Sequence, residues 1–128
     1  MVGKNNLSNI KKQGYYEIEF TDMKYAYAVA DLCVSRAGSN TIFELLYLKI
    51  PTLLIPLPKA ESRGDQIENA EYFFSCGLAH MLMQKDIDFE FLTAVDNLYA
   101  NSKVIIGNMD KRSTLLANDK IISILTSV

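Results

Sequence analysis

The stretch Asp31-Leu-Cys-Val-Ser-Arg-Ala-Gly-Ser-Asn-Thr-Ile-Phe-Glu-Leu-Leu46 decides the fold. It reads as an apolar strand (Leu32 to Ser35), a tight turn (Arg36 to Ser39) and a helix (Asn40 to about Leu48). Gly38 supplies the positive φ that a sharp strand-to-helix turn often needs. Ser39 or Asn40 is expected to cap the helix by accepting from its orphan N–H groups. Glu44 lies one turn inside, near the positive end. The remaining N–H groups point outward and suit a phosphate. An anion-binding corner beside a carboxylate fits a nucleotide-sugar, which has a diphosphate to cradle and hydroxyls to read. The turn is neither the GxGxxG dinucleotide fingerprint nor the P-loop.

Outward from this stretch, residues 1–14 read as a polar loop. Tyr15 to Thr21 alternates aromatic and β-favouring residues with Glu17 and Glu19, the pattern of a strand with one exposed face or at an edge. Asp22 is placed to cap a short helix, Met23 to Ala30. Downstream, Thr52 to Leu57 is a continuous apolar run expected to be a strand buried on both faces, with Pro51 opening it and Pro56 closing it. Pro58 to Asp65 reads as a long charged loop, where functional residues gather. Gln66 to Cys76 reads as a helix ended by Gly77, and Ala79 to Gln84 as a short strand. Asp88 to Tyr99 reads as an amphipathic helix with Phe89, Leu92, Val95 and Leu98 on its buried stripe. A last helix is expected over Lys111 to Thr126, burying Leu115, Leu116, Ile121, Ile122 and Leu125.

Strands alternating with helices mean βαβ units, a parallel sheet, and helices on both faces. Ligands then bind beyond the carboxyl ends of the strands. Three loops are expected at that edge: Thr21-Asp22-Met23, Arg36 to Thr41, and Pro58 to Gln66.

Composition narrows the function. The chain has 128 residues, 49% hydrophobic and 22% charged, the make-up of one soluble globular domain. A net charge of -2 argues against a basic nucleic-acid-binding surface. Cys33 and Cys76 lack CxxC or histidine spacing, so they read as buried thiols rather than a zinc site or disulfide. His80 is the only histidine, which rules out a multi-histidine metal site. It reads as structural. No apolar run approaches the ~18 residues of a membrane span.

Several of these motifs, in this order, resemble the MurG family, the N-acetylglucosaminyltransferases of peptidoglycan lipid synthesis. The resemblance is carried by Ala30-Asp31, Ser35 through Leu46, Pro51-Thr-Leu-Leu-Ile-Pro56, Arg63-Gly-Asp-Gln66 and Asn69-Ala70-Glu71. It matches the carboxyl-terminal, nucleotide-sugar-binding domain over nearly the whole chain. It implies a Rossmann-like parallel sheet, the C-terminal half of a GT-B glycosyltransferase with its first strands missing. It implies inverting transfer of GlcNAc from UDP-GlcNAc to undecaprenyl-pyrophosphoryl-MurNAc-pentapeptide (lipid I to lipid II). No cofactor is implied, and no metal held by an Asp-x-Asp motif, which this chain lacks.

Residue by residue, the resemblance assigns Phe20, Thr21 and Met23 to the uracil and ribose pocket. It assigns Gly38, Ser39, Asn40 and Thr41 to the diphosphate and Glu44 to the ribose or the sugar. Asp65 and Gln66 go to the GlcNAc hydroxyls. Arg36 and Asn69 belong to the motif as donor-binding residues or as structural hydrogen-bonding residues that fix the loops. No catalytic base is assigned within the chain. The acceptor site, the base and the membrane-contacting surface belong to the family's amino-terminal domain. The full-length protein is then cytoplasmic and peripheral on the inner face of the membrane, and the 128 residues alone are expected to be inactive. An open sheet edge left by missing strands would invite a dimer. Two other readings stay open: the donor-binding subunit of a two-chain glycosyltransferase, and a non-catalytic nucleotide-sugar-binding module.

Overall fold

Strand β2, Thr52–Leu54, is the middle strand of the sheet, and every one of its residues is buried. Successive side chains of a strand point to opposite faces, so burial of both Leu53 and Leu54 means both faces of the central strand are covered. In this computed structural model, which describes residues 1–112, β2 lies between β1 (Cys33–Ser35) and β3 (His80–Met81). All pairings are parallel, in the order β1-β2-β3. Val34 is level with Leu53, and Leu53 with His80. The expected α/β fold, a parallel sheet flanked by helices, is what the chain forms.

The chain divides into two compact units, residues 1–30 and residues from Asp31 onward. In the first, Tyr15 to Thr21 does not form the expected strand. It makes one isolated antiparallel bridge, Lys12 with Tyr15, and one hydrogen bond from Val2 N–H to Ile18 O. The physical reason is what its two glutamates bind. Glu17 accepts from the Ser8 backbone N–H (2.7 Å), the Ser8 hydroxyl (2.6 Å) and the Tyr15 hydroxyl (2.8 Å). Glu19 accepts from the Asn5 N–H. Side-chain carboxylates thus take backbone donors that a ladder would use. These bonds, the Ser8 hydroxyl first, hold the Glu17 carboxyl below the usual range and push the Tyr15 phenol up. The first helix, α1 (Met23–Val29), starts as expected, with Asp22 accepting from the Lys24 N–H at 3.1 Å.

In the second unit, α2 (Ser39–Leu48) buries Ile42, Leu45 and Leu46, the i, i+3, i+4 set that puts one helix face on the core. It ends at Lys49 in the left-handed region, φ 57°, with Ile50 N–H bonded back to Leu45 O. Helix α4 (Asp65–Ser75) ends in a Schellman arrangement. Gly77, at φ +69°, donates to Phe74 O and Leu78 to Phe73 O. Helix α5 (Ile87–Ala100) packs on β2 and β3 after a 3₁₀ turn, Gln84–Asp86, and residues 102–112 are helical.

Four further expectations change. Pro58 to Asp65 is not all loop: it holds a one-turn helix, α3 (Lys59–Ser62), whose Ser62 hydroxyl donates to Leu57 O and Pro58 O. The β-strands are shorter than their apolar runs, because Pro56 and the turn at Gln84 stop the ladder early. The stripe of α5 is different. Leu98 is fully buried and Val95 packs on the core, but Phe89 is 90% and Leu92 is 77% exposed. A strict spacing of three drifts round a helix of 3.6 residues per turn; the face that meets the core is Ile87, Phe91, Ala94, Val95 and Leu98. Cys76 is exposed rather than buried, since it caps α4 at the surface. Cys33 is half-buried, and desolvation pushes its thiol pKa up. The helix expected over Lys111 to Thr126 lies, from residue 113, outside the described residues.

Candidate functional site

The carboxyl ends of β1, β2 and β3 share one rim, and three side chains lace the segments that leave them. Arg36, just past β1, donates from Nη1 to Ile55 O (3.2 Å) beyond β2 and to Gln84 Oε1 (2.8 Å) beyond β3. Gln66 accepts at Oε1 from the N–H of Ala37 (3.2 Å) and of Leu57 (3.1 Å). Asn69 Nδ2 donates to Ala37 O at 3.1 Å. The loops carrying Arg36 to Thr41 and Pro58 to Gln66 therefore meet, as their positions after parallel strands require. Beside them opens a cleft of about 260 Å³ lined by Val34, Ser35, Arg36, Ile55 and Ile87.

The start of α2 differs from the expectation in a way that matters. Its N-cap is Gly38, at φ -67° and ψ 139°, ordinary extended backbone, so no positive φ is needed there. Neither Ser39 nor Asn40 caps it, because both are already inside the first turn, and the helix has no side-chain cap at all. The first intrahelical bond runs from Ile42 N–H to Gly38 O. The N–H groups of Ser39, Asn40 and Thr41 precede it and have no intrahelical acceptor. A β-carbon at Gly38 would meet nothing within 4 Å, so the approach to these donors is open. Glu44 follows in the second turn, exposed.

Asp65 is the first residue of α4, exposed, after Gly64 at φ 92°. Its charge suits the positive helix end. The Gln66 amide oxygen is used twice by the backbone, while its Nε2 has no acceptor among the described residues. Phe20, Thr21 and Met23 belong to residues 1–30; Phe20 is exposed and Met23 opens α1. His80 lies in β3, edge-on to Phe74 with ring centroids 6.4 Å apart, and burial pushes its imidazole pKa down. That is a packing environment. Sequence reasoning missed Gln84, although it follows the third parallel strand at the same rim. Among the described residues no group of three His, Cys, Asp or Glu could hold a metal ion, and no helix is long and apolar enough to cross a membrane.

A parallel sheet flanked by helices, with its loops gathered at the carboxyl edge of the strands, defines a class, the Rossmann-like α/β domains. Residues 1–123 match the model of the glycosyltransferase family 28 C-terminal domain, and the chain belongs to that family. It is 46% identical over 116 residues to the UDP-N-acetylglucosamine--N-acetylmuramyl-(pentapeptide) pyrophosphoryl-undecaprenol N-acetylglucosamine transferase of Geobacillus kaustophilus, covering 87% of this chain and 32% of that protein. Proteins of the same name from Clostridium novyi and Lachnoclostridium phytofermentans are 39% and 40% identical, each alignment covering 98% of this chain and 36% of the relative. The chain thus spans about a third of the length of the curated relatives it matches.

Proposed function

We propose that this chain is the donor-binding part of an inverting glycosyltransferase that moves GlcNAc from UDP-GlcNAc to undecaprenyl-pyrophosphoryl-MurNAc-pentapeptide. The observation that carries the reading is the open start of α2. Three backbone donors without intrahelical acceptors stand beside the laced rim, in a chain 46% identical to a transferase whose name states that chemistry. In this reading Ser39, Asn40 and Thr41 hold the diphosphate, with Gly38 leaving room for it. As UDP departs it gains negative charge, and donors already in place stabilise that charge without reorganising. Glu44 reads sugar or ribose hydroxyls, since a carboxylate accepts two at once. Gln66 and Asp65 read the GlcNAc hydroxyls, Gln66 through its unused Nε2. Arg36 and Asn69 hold the loops that present the rest.

The lipid acceptor, the general base and a peripheral membrane contact are assigned to sequence the relatives possess outside the aligned third. No group at this rim is placed as a base, so the 128 residues hold donor and transfer nothing alone. The edge of β1 supports a second element of the proposal, self-association. Cys33 and Ser35 turn their backbone groups to β2, which aims those of Val34 the other way, where no strand pairs among the described residues.

The test is titration of the chain with UDP-GlcNAc, followed through backbone amide resonances. Saturable shifts at Ser39, Asn40 and Thr41 that weaken in Glu44→Ala are expected. No shift there, or GlcNAc transfer to a lipid I analogue by the chain alone, would sink the reading.

A further inference from the structure

Arg36 carries five N–H donors in a planar fork. The two on Nη1 go to Ile55 O and Gln84 Oε1. Those on Nε and Nη2 have no acceptor among the described residues. The guanidinium stands one residue before the Ala37-Gly38 turn into α2 and lines the cleft at the ends of β1 and β2. An arginine side chain has many rotamers, and a long exposed one loses entropy when it is held in one place. Here the holding is done by two acceptors on two different strand exits. One is a backbone carbonyl and is fixed by β2. The other is the Gln84 side chain, 48 residues away in sequence.

We propose that Gln84 is a positioning residue: it holds Arg36 so that the unused edge of the guanidinium faces a nucleoside diphosphate bound at the start of α2. This rests on the donor-binding reading above and deepens it. A guanidinium edge matches two phosphate oxygens at once, which a point charge does not. Adding a fixed cation to three backbone donors raises affinity for the diphosphate group rather than for the sugar. Gln84 acts through Arg36 and touches no ligand itself.

The test uses the full 128-residue chain, with UDP and inorganic pyrophosphate as probes and three forms: parent, Gln84→Met and Gln84→Glu. Methionine keeps the length and removes the acceptor; glutamate keeps an acceptor. Two readouts are followed, the dissociation constants and the Arg36 side-chain Nε–H resonance without ligand. In Gln84→Met, at least fivefold weaker binding of UDP and of pyrophosphate is expected, with a broadened or shifted Arg36 resonance. The Arg36 resonance returns towards the parent position in Gln84→Glu. Circular dichroism melting checks that Gln84→Met still folds. Parent-like binding in a folded Gln84→Met chain overturns the inference alone. No binding of UDP by the parent overturns both the inference and the donor-binding reading.

Discussion

The side-chain oxygen of Gln66 accepts a hydrogen bond from the backbone N–H of Ala37 at 3.2 Å, across 29 residues of sequence. The same oxygen accepts from Leu57 N–H, so one amide fixes the exits of two strands. Removing it in Gln66→Ala leaves two part-buried donors unmatched, a loss of about 1–3 kcal/mol. Gln66→Glu keeps the acceptor and loses the Nε2 donor. Its melting temperature is expected to stay near the parent's, while affinity for UDP-GlcNAc falls and affinity for UDP changes less. Calorimetry on both variants separates the structural role of the side-chain oxygen from the ligand-reading role proposed for Nε2.

Gly38→Asp is expected to act in opposite directions on folding and binding. There is room for the side chain, and its carboxylate can accept from the bare N–H groups of α2. Capping and the helix dipole together favour the fold by about 0.3–1 kcal/mol. Under the proposed donor-binding reading, the same carboxylate occupies and repels the place of a phosphate. A variant that melts higher and binds UDP no longer would match the geometry; unchanged UDP binding would refute it.

Two left-handed positions make a matched pair. Lys49 ends α2 at φ 57° and its ammonium pairs with Asp110 at the surface. Lys49→Gly relieves a conformation that is unfavourable by about 1–2 kcal/mol for a residue with a β-carbon, and gives up an exposed ion pair contributing about 0–1 kcal/mol. Neutral to modestly higher stability is expected in urea unfolding. Gly77→Ala should go the other way, since Gly77 sits at φ +69° and a new β-carbon would lie 2.8 Å from Asn108 Nδ2.

Leu98→Ala and Phe89→Ala test which face of α5 meets the core. Leu98 is fully buried, and its truncation is expected to destabilise by about 2–5 kcal/mol. Phe89 is exposed, and its truncation should stay within about 0.5 kcal/mol.

His80 makes stability depend on pH. Burial lowers its pKa in the folded chain, so the fold favours the neutral ring and the unfolded chain takes up the proton more readily. Stability is therefore full above the unfolded value of about 6.5 and declines as pH falls through it, until the folded value is passed. Urea midpoints between pH 7.5 and 5.5 should fall in the parent and fall less in His80→Phe, which keeps a ring against Phe74.

What the sequence made legible follows from which signals are local. The strand-turn-helix from Cys33 to Leu48 and the buried run at Thr52 are set by short-range patterns, and both form. The meeting of the Arg36 and Gln66 loops followed from the shared direction of parallel strands, which puts the loops that leave them at one edge. Other features depend on partners that no local pattern names. Tyr15 to Thr21 alternates like a strand, but its glutamates bind Ser8 and Asn5 instead of facing a ladder. Phe89 and Leu92 share a spacing with Leu98 but not a face. The positive φ expected of Gly38 is absent, because the turn enters α2 through extended backbone. Gln84 could be found only once the third strand placed it opposite Arg36.

The three strands contribute three, three and two residues to the sheet. With so few rungs, slow deuterium exchange should concentrate at Leu53 and Leu54, where side chains seal both faces. The rim above is tied chiefly by single side chains, Arg36, Gln66 and Asn69, each releasable without disturbing the centre. A local melting of that lacing, far smaller than global unfolding, would loosen the exits of β1 and β2 while Leu53 and Leu54 stay sealed.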